Sequence, residues 1–361
     1  MRGLMDAVVG TLLLGASATA QQVCEGQAGV PTWAESGVFR GSVGGLPVAL
    51  ALGKGEDGEE ARYFYERRGV NIALVPGWTG DTLLLREEVW SVAEGRRRVT
   101  GCLRLRRAGA ALSGTWTGPD GRRTLPVALA PLDVTRLPLN LPSSPGLRRL
   151  RASDPLTFLK LNRAWVREAG GVREPLSGVS YPRISNGSAA LNAALQDRQL
   201  EHAANALTCT SDLGQPPGRE SGDGYTLTAR VTWQGRRLVS LFETASYSCG
   251  GVHPDAYDVG LILDRATGRE VPVTALWPGL TPARLSALSL AHGRADGICR
   301  DVLTDREPKF TAHLTGKGLA LTPSGLPHVA FACAETVTLP YSALRPAANV
   351  RGPYFRDLYP R

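Results

Sequence analysis

Residues 238–277 read LVSLFETASYSCGGVHPDAYDVGLILDRATGREVPVTALW, and this stretch decides the fold of the second half of the chain. Val239, Leu241 and the residues after them run as a strand into Cys249-Gly250-Gly251, where paired glycines supply the φ > 0 geometry that reverses a chain. His253, Pro254 and Asp255 follow directly, so polar side chains sit where two strands open outward. Tyr257, Val259, Leu261 and Leu263 then alternate with Asp258, Gly260, Ile262 and Asp264 as far as the turn Arg265-Ala266-Thr267-Gly268. The period of two predicts a second strand, and a sheet whose turn, rather than its strands, is open to contacts.

Working outward from it, Ser188 is placed to cap a helix over 189–206, with Leu191, Leu195 and Ala203 on one buried face. Strands are expected over 225–233, 238–248 and 256–263. Thr281-Pro282 opens a second helix that carries Leu285, Leu288 and Leu290 toward Cys299, and 310–314, 318–321, 329–334 and 337–339 finish as strands. Strands in runs, with two helices packed on one side, make this half an α+β antiparallel sheet.

Residues 36–132 read differently. Short strands such as 47–52, 72–75, 82–87 and 100–105 are separated by turn residues at roughly the 8–12-residue spacing of sandwiches and barrels. Leu103 and Leu105 alternate with Arg104 and Arg106, one face inward and one basic face in water. The expected fold is an all-β barrel or meander. Its words Gly-x-Phe-x-Gly, Tyr-Phe-Tyr, Leu-x-Leu-x-Glu and Gly-x-Trp resemble a recurrent bacterial β module, a likeness that carries no chemistry. Between the halves, Pro138, Pro142, Pro145 and the charge of Arg148, Arg149 and Arg151 read as a Pro/Arg-rich linker over 133–154. Ser153-Asp154-Pro155 is a helix opening, with Phe158, Leu161 and Trp165 near one face.

A length of 361 residues favours two domains. At the N-terminus Arg2, the apolar run 7–14 and Ala18-Thr19-Ala20 predict a signal peptide over 1–20, hence a periplasmic or secreted protein. No later apolar run is long enough to span a bilayer, so no transmembrane segment is expected in the mature chain. Cys24, Cys102, Cys209, Cys249, Cys299 and Cys333 all lie beyond Ala20, and an even count in an exported chain suggests disulfides. Sequence alone leaves many pairings open. Cys24–Cys102, Cys209–Cys249 and Cys299–Cys333 form the map expected from domain membership and from helix and strand ends.

The formal charge is +8, with arginine clusters at 96–98, 104–107 and 148–151. Nucleic acid suits such a surface, but export argues against it. Lysine occurs only at positions 54, 160, 309 and 317, so the arginines also fit the codon bias of a GC-rich genome, with attraction to anionic envelope polymers as the other reading. There is no CxxC, no GxxxxGK[ST] and no GxGxxG after a strand, and no cofactor or metal is expected.

The turn Gly250-Gly251-x-His253-Pro254, the strand ending Asp264-x-x-Thr267-Gly268 and the closing Leu276-Trp277 together resemble the RsiV/PdaC-like domain. Tyr181-Pro182-Arg183-Ile184 with Leu191-Asn192 upstream, and 321–326 and 337–344 downstream, extend the resemblance over 177–345. That domain occurs in lysozyme-sensing anti-sigma factors and beside the catalytic module of some peptidoglycan deacetylases. The resemblance implies an envelope partner, either cell-wall glycan or a lysozyme-like protein. The deacetylase words, an Asp-Asp-Gly-Pro turn and a zinc histidine pair, are absent, so deacetylation is not carried over.

His253, close to Asp255 and Asp258, has the residue types of a general base or half a metal site, and equally of a turn histidine bonded to backbone. Ser246 and Ser248 lack a Gly-x-Ser-x-Gly elbow, and His202, His292, His313 and His328 stand apart in sequence. Glu87-Glu88 and Glu243 with Glu335 are formal acid and base candidates. Trp78, Trp90, Trp116, Trp233 and Trp277 fall near strand ends, and Tyr225, Tyr247 and Tyr257 flank the His253 turn, as rings that contact sugars or proteins do. The expectation is a non-catalytic envelope binder using Tyr247, Gly250, Gly251, His253, Asp255 and Tyr257. The alternatives are a glycan hydrolase or deacetylase centred on His253 and Asp255, and a purely structural envelope protein.

Overall fold

Alternation along the first half is realised as a barrel wall: Leu103, Leu105, Leu112, Val127 and Leu129 are buried, while Arg104, Arg106, Ser113 and Ala128 between them are exposed. A computed structural model of the chain describes residues 24–34, 36–53, 61–91, 94–213, 224–251, 253–293, 297–305 and 309–360. The expected signal peptide, 1–20, lies outside them. The chain forms two compact units, the first from the strands before Leu132 and the second from Asp133 onward together with 64–71 and 90–96.

In the first unit β1 (Gln27–Ala28) pairs with β5 (Asn71–Thr79). The barrel itself comprises β2 (Gly37–Val43), β3 (Leu46–Leu52), β4 (Ala61–Tyr65), β5 (Asn71–Thr79), β6 (Thr82–Ser91), β7 (Arg96–Ala108), β8 (Ala111–Thr117) and β9 (Thr124–Pro131). Each strand neighbours its successor, and β9 returns to β2, so the sheet closes up-and-down without a free edge. Local geometry explains the tight reversals. Gly44 and Gly45 join β2 to β3 with φ of 59° and 81°, the pair of positive angles that suits a two-residue hairpin. An eight-stranded barrel leaves an interior that side chains fill, and Val48, Leu50, Tyr63, Leu83 and Leu85 are all essentially inaccessible. The Cys24–Cys102 disulfide fastens the entering chain to β7, over Leu84.

The second unit departs from the expected single sheet. Its described residues form three separate three-stranded antiparallel sheets. The first holds β10 (Val166–Glu168), β11 (Gly171–Arg173) and β12 (Ser180–Pro182); the second β13 (Gly224–Gln234), β14 (Leu238–Ser248) and β15 (Asp255–Asp264); the third β16 (Lys309–Leu314), β17 (Gly318–Ser324) and β18 (Val337–Pro340). The middle sheet is sandwiched. On one face Val239, Leu241, Leu261 and Leu263 meet Leu191 and Leu195 of the Ala189–Asp212 helix. On the other, Ser240 donates to the Leu261 carbonyl at 2.8 Å and accepts the Leu314 amide at 2.8 Å, which ties in β16. A Cβ at Gly260 would stand 2.3 Å from the Ala312 carbonyl oxygen, so only glycine lets β15 approach β16 this closely.

Three expectations are corrected. Residues 133–154 are not an unstructured linker: they carry a 3-10 turn (Val134–Arg136) and a helix (Pro145–Ser153), with a further helix at Pro155–Leu161. The prolines start these helices rather than break them, because each sits at the first helical position behind a capping side chain, Ser144 or Asp154. Leu141, Leu147, Phe158 and Leu161 pack there against Leu200, Ala203, Ala206 and Leu207. The expected limits 177–345 are too narrow at the other end as well, since Leu358 and Tyr359 enter the core around Trp277. Asp357 accepts the amides of Arg236, Arg237 and Leu238. Finally, 329–334 is a 3-10 helix (His328–Cys333) and not a strand, entered through Pro327, whose carbonyl accepts the Ala330 amide at 2.8 Å. The second expected helix runs Pro282–His292, with a separate helix at Gly297–Asp305.

Candidate functional site

One face of the middle sheet changes character along its length. Leu241 and Leu261 are apolar neighbours; the next row sets Glu243 between Ala229 and Val259, the next Ala245 between Leu227 and Tyr257, and the last Tyr247 between Tyr225 and Asp255. The polar end of that face lies against the Ala189–Asp212 helix, whose Arg198 and His202 are one turn apart and so share a side. The Cys209–Cys249 disulfide, with its Cα atoms 4.8 Å apart, joins the last part of this helix to the Gly250-Gly251 turn. The turn, the helix end and the tyrosine rows are thereby held as one piece.

Glu243 is wholly buried and fully engaged. Tyr181 donates its hydroxyl to one carboxylate oxygen, and the Arg198 guanidinium grips both, Nε at 3.2 Å from Oε1 and Nη2 on Oε2. His202 Nε2 stands 3.1 Å from Oε2. Burial works to raise the Glu243 pKa, but the bonds from His202 and Arg198, and the charge of Arg198, outweigh it and hold the carboxyl down at about 2. From His202 the chain of contacts runs outward. Its Nδ1 is 2.6 Å from the Tyr225 hydroxyl, which is 2.8 Å from the Tyr257 hydroxyl. Tyr247 donates to Asp255 at 3.1 Å, and the Tyr247 and Tyr257 rings meet edge-on, centroids 6.3 Å apart. Burial first, then the bonds to Tyr257 and Asp255 respectively, raises the Tyr225 and Tyr247 pKa values, so both phenols stay protonated.

The structure thus gathers Tyr247, Asp255 and Tyr257 at one sheet end, with Gly250, Gly251 and His253 exposed in the turn beside them. Asp255 accepts its two bonds from the Ala256 amide and the Tyr247 hydroxyl, and His253 Nδ1 lies 3.1 Å from the Pro254 carbonyl oxygen. Ser246 sits on the opposite face of β14 from Glu243, its hydroxyl 2.7 Å from that of Thr226. Glu243 answers Arg198, His202 and Tyr181, not Glu335, which is exposed. His313 is buried behind the sheet, its ring centroid 4.4 Å from that of Phe242, and burial with the nearby Arg230 charge depresses its pKa to about 4. Trp277 is core, donating to Tyr359 at 3.0 Å. Among the described residues no three His, Cys, Asp or Glu side chains converge as a metal set would.

Arg198, His202 and Tyr181 were missed from sequence. Their one signal is Glu243 itself, a lone acid on a strand face that otherwise reads Val239, Leu241, Ala245 and must be paired if buried. The barrel hides a second acid, Glu87, which accepts from Trp116 Nε1 at 2.7 Å, from Thr100 at 3.3 Å and from the Tyr63 hydroxyl. A Cβ on Gly101 would overlap both Trp116 and Glu87, so glycine makes the room. Here burial wins over the bonds from Tyr63, Trp116 and Thr100, and the pKa is raised.

The two acids respond to pH with opposite sign. Glu243, depressed from 4.5 to about 2, lends the second unit stability that is complete above about pH 4.5 and is lost as pH falls through 2. That contribution is worth about 3 kcal/mol. Glu87, raised above 4.5, contributes fully below that pH and loses its contribution as pH rises through its folded value. Calorimetry between pH 7 and 2.5 should therefore show the second unit weakening in acid while the barrel holds or gains. Parallel loss in both units would contradict the assignment of the two carboxyls.

No protein-family model matches the chain, and no curated protein does. The crystal structure of a DUF3298 family protein from Pseudomonas aeruginosa PAO1 aligns with 48% of this chain and 73% of its own, at 17% identity and a TM-score of 0.29. Three disulfides join Cys24 to Cys102, Cys209 to Cys249 and Cys299 to Cys333, and no helix among the described residues is long and apolar enough to cross a membrane.

Proposed function

We infer that the chain is an exported envelope protein whose second unit binds, without catalysis, peptidoglycan, its fragments or a lysozyme-like protein. The observation that carries this reading is the sheet end itself. Tyr225, Tyr247, Tyr257 and Asp255 form a bonded, half-exposed aromatic patch beside a disulfide-anchored Gly-Gly turn, over a carboxylate that is already saturated. Rings with a polar tip present large contact area at low entropic cost, which suits both sugar and protein surfaces. Glu243, kept ionised by three partners, has no lone pair or proton left to trade with a substrate at neutral pH. The resemblance of the Gly250–Pro254 words to the RsiV/PdaC-like domain directs the ligand choice to the cell wall, and three disulfides suit an oxidising compartment.

The test is capture of the full chain by isolated peptidoglycan and, separately, by immobilised lysozyme. Wild-type protein should be retained by one of them, and Tyr247→Ala should weaken that retention by about tenfold or more, as loss of an aromatic anchor does, with the melting temperature of the unit preserved. Retention by neither matrix, or retention indifferent to Tyr247, would remove the proposal.

A further inference from the structure

The tyrosine-lined sheet end has a sign as well as a shape. Tyr225 and Tyr247, neighbours across β13 and β14, make one wall, with ring centroids 6.3 Å apart and planes 21° apart. Tyr257 stands across that wall at 61°, its centroid 6.3 Å from that of Tyr247. Asp255, two residues before Tyr257 on β15, shares its face of the sheet and takes the Tyr247 hydroxyl on Oδ2 at 3.1 Å. All four side chains are partly exposed, so the corner they form is reached from solvent.

The charge at this corner is negative, in a chain whose formal charge is +8. Glu243, behind the rings, is matched by the Arg198 guanidinium. Asp255 makes no ion pair among the described residues and so brings an uncompensated charge to the ring faces. Each of its oxygens holds one bond, Oδ1 the Ala256 amide at 2.8 Å and Oδ2 the Tyr247 hydroxyl, and each keeps a second lone pair.

Chemistry selects what fits. Tyrosine faces alone suit a neutral sugar ring and a cation equally well. The carboxylate decides between them, because ring quadrupole and Asp255 attract the same sign. A compact ammonium needs one free lone pair and a ring face, and both are present. A guanidinium fork asks for two unencumbered oxygens side by side.

We propose that the corner of Tyr247, Tyr257 and Asp255 binds a primary ammonium group, an amine left unacylated on an amino sugar or on the side chain of a cell-wall peptide. This rests on the reading of the sheet end as a binding surface and names the group that the surface grips.

Calorimetry with the full chain compares two pairs of probes in mildly acidic buffer, where the amines are charged. One pair is a glucosamine hexamer and its fully N-acetylated form; the other is an Nα-acetylated lysine tripeptide amide and the same peptide with its side chains acetylated. The charged member of one pair should bind about tenfold or more tighter than its neutral twin, and the pair that responds identifies the carrier of the amine. Asp255→Asn, which keeps an acceptor for the Ala256 amide, should bring that ratio within about twofold. The control is Glu270→Gln, an equal change of charge on an exposed residue beside Leu263 at the far end of β15, which should leave the ratio as it is in the wild type. If Asp255→Asn disturbs folding, Tyr257→Leu removes one ring face and should lower the ratio in its place. Charged and neutral forms bound alike in both pairs would overturn the proposal, as would equal loss of preference in Asp255→Asn and Glu270→Gln. Isolated peptidoglycan, before and after chemical acetylation of its amines, separates this inference from the wider one. Capture unchanged by acetylation would overturn the ammonium assignment and leave the binding reading standing. Capture of neither preparation, with a charged probe still preferred, would remove the wall as ligand and uphold the ammonium site.

Discussion

A fragment cut to residues 177–345 should fail to fold, whereas one running from 133 to the end of the chain should melt cooperatively. The shorter piece discards Leu147, Leu156, Phe158 and Leu161, each with no measurable exposure, and the Leu358 and Tyr359 pair that closes the core around Trp277. Burying one such side chain is worth about 1.5–3 kcal/mol, so the five leucine and phenylalanine side chains, about 8–15 kcal/mol together, are of the same size as the roughly 5–15 kcal/mol that keeps a typical domain folded. The shorter piece also loses Asp357, the acceptor of three successive amides at the start of β14. Circular dichroism and urea titration of the two fragments decide the point. A cooperative transition in the 177–345 fragment would mean that the flanking helices are ornaments on a self-sufficient core.

Glu243→Ala should cost the second unit about 3–5 kcal/mol, the penalty of breaking a buried charged pair from one side. The substitution strips the acceptor from Tyr181 and His202, which are inaccessible, and leaves Arg198 without its bidentate partner. Arg198 keeps a quarter of its side chain in water and so relaxes in part; the buried phenol and imidazole have no such escape. Replacing Arg198 by Met together with Glu243→Leu should recover only the share due to the unpaired guanidinium, because Tyr181 and His202 still lack their acceptor. Urea denaturation of the wild type and the two variants measures it. A loss below about 1 kcal/mol for Glu243→Ala would show that the cluster is solvated and does not organise the site.

Much of this architecture was legible in the chain, for physical reasons that also explain the misses. Alternation such as Leu103-Arg104-Leu105-Arg106 is a local property, and so are the Gly44-Gly45 and Gly250-Gly251 reversals. Closure of the barrel rests on β9 meeting β2, an encounter between strands more than eighty residues apart that periodicity does not encode. Reading prolines as breakers hid the helix at 145–153, although Ser144-Pro145 bears the same cap-plus-proline signature that made Asp154-Pro155 legible as a helix start. At the site, the turn and its tyrosines stood out because they cluster within a short stretch. Arg198 and His202 did not, because their partner Glu243 lies more than forty residues further along the chain, and only packing of the helix on the sheet brings them together.

The central claim, that the tyrosine-lined turn holds a ligand and does not transform one, is tested most directly at His253. Wild-type protein and His253→Ala, matched for melting temperature, are incubated with purified peptidoglycan, and both captured protein and released reducing sugar or acetate are measured. Weakened capture in the variant, with no product released by either protein, is the predicted result. Product released by the wild type and reduced about 10²–10⁴-fold in His253→Ala, the share of an acid–base group, would place a catalyst at the turn instead.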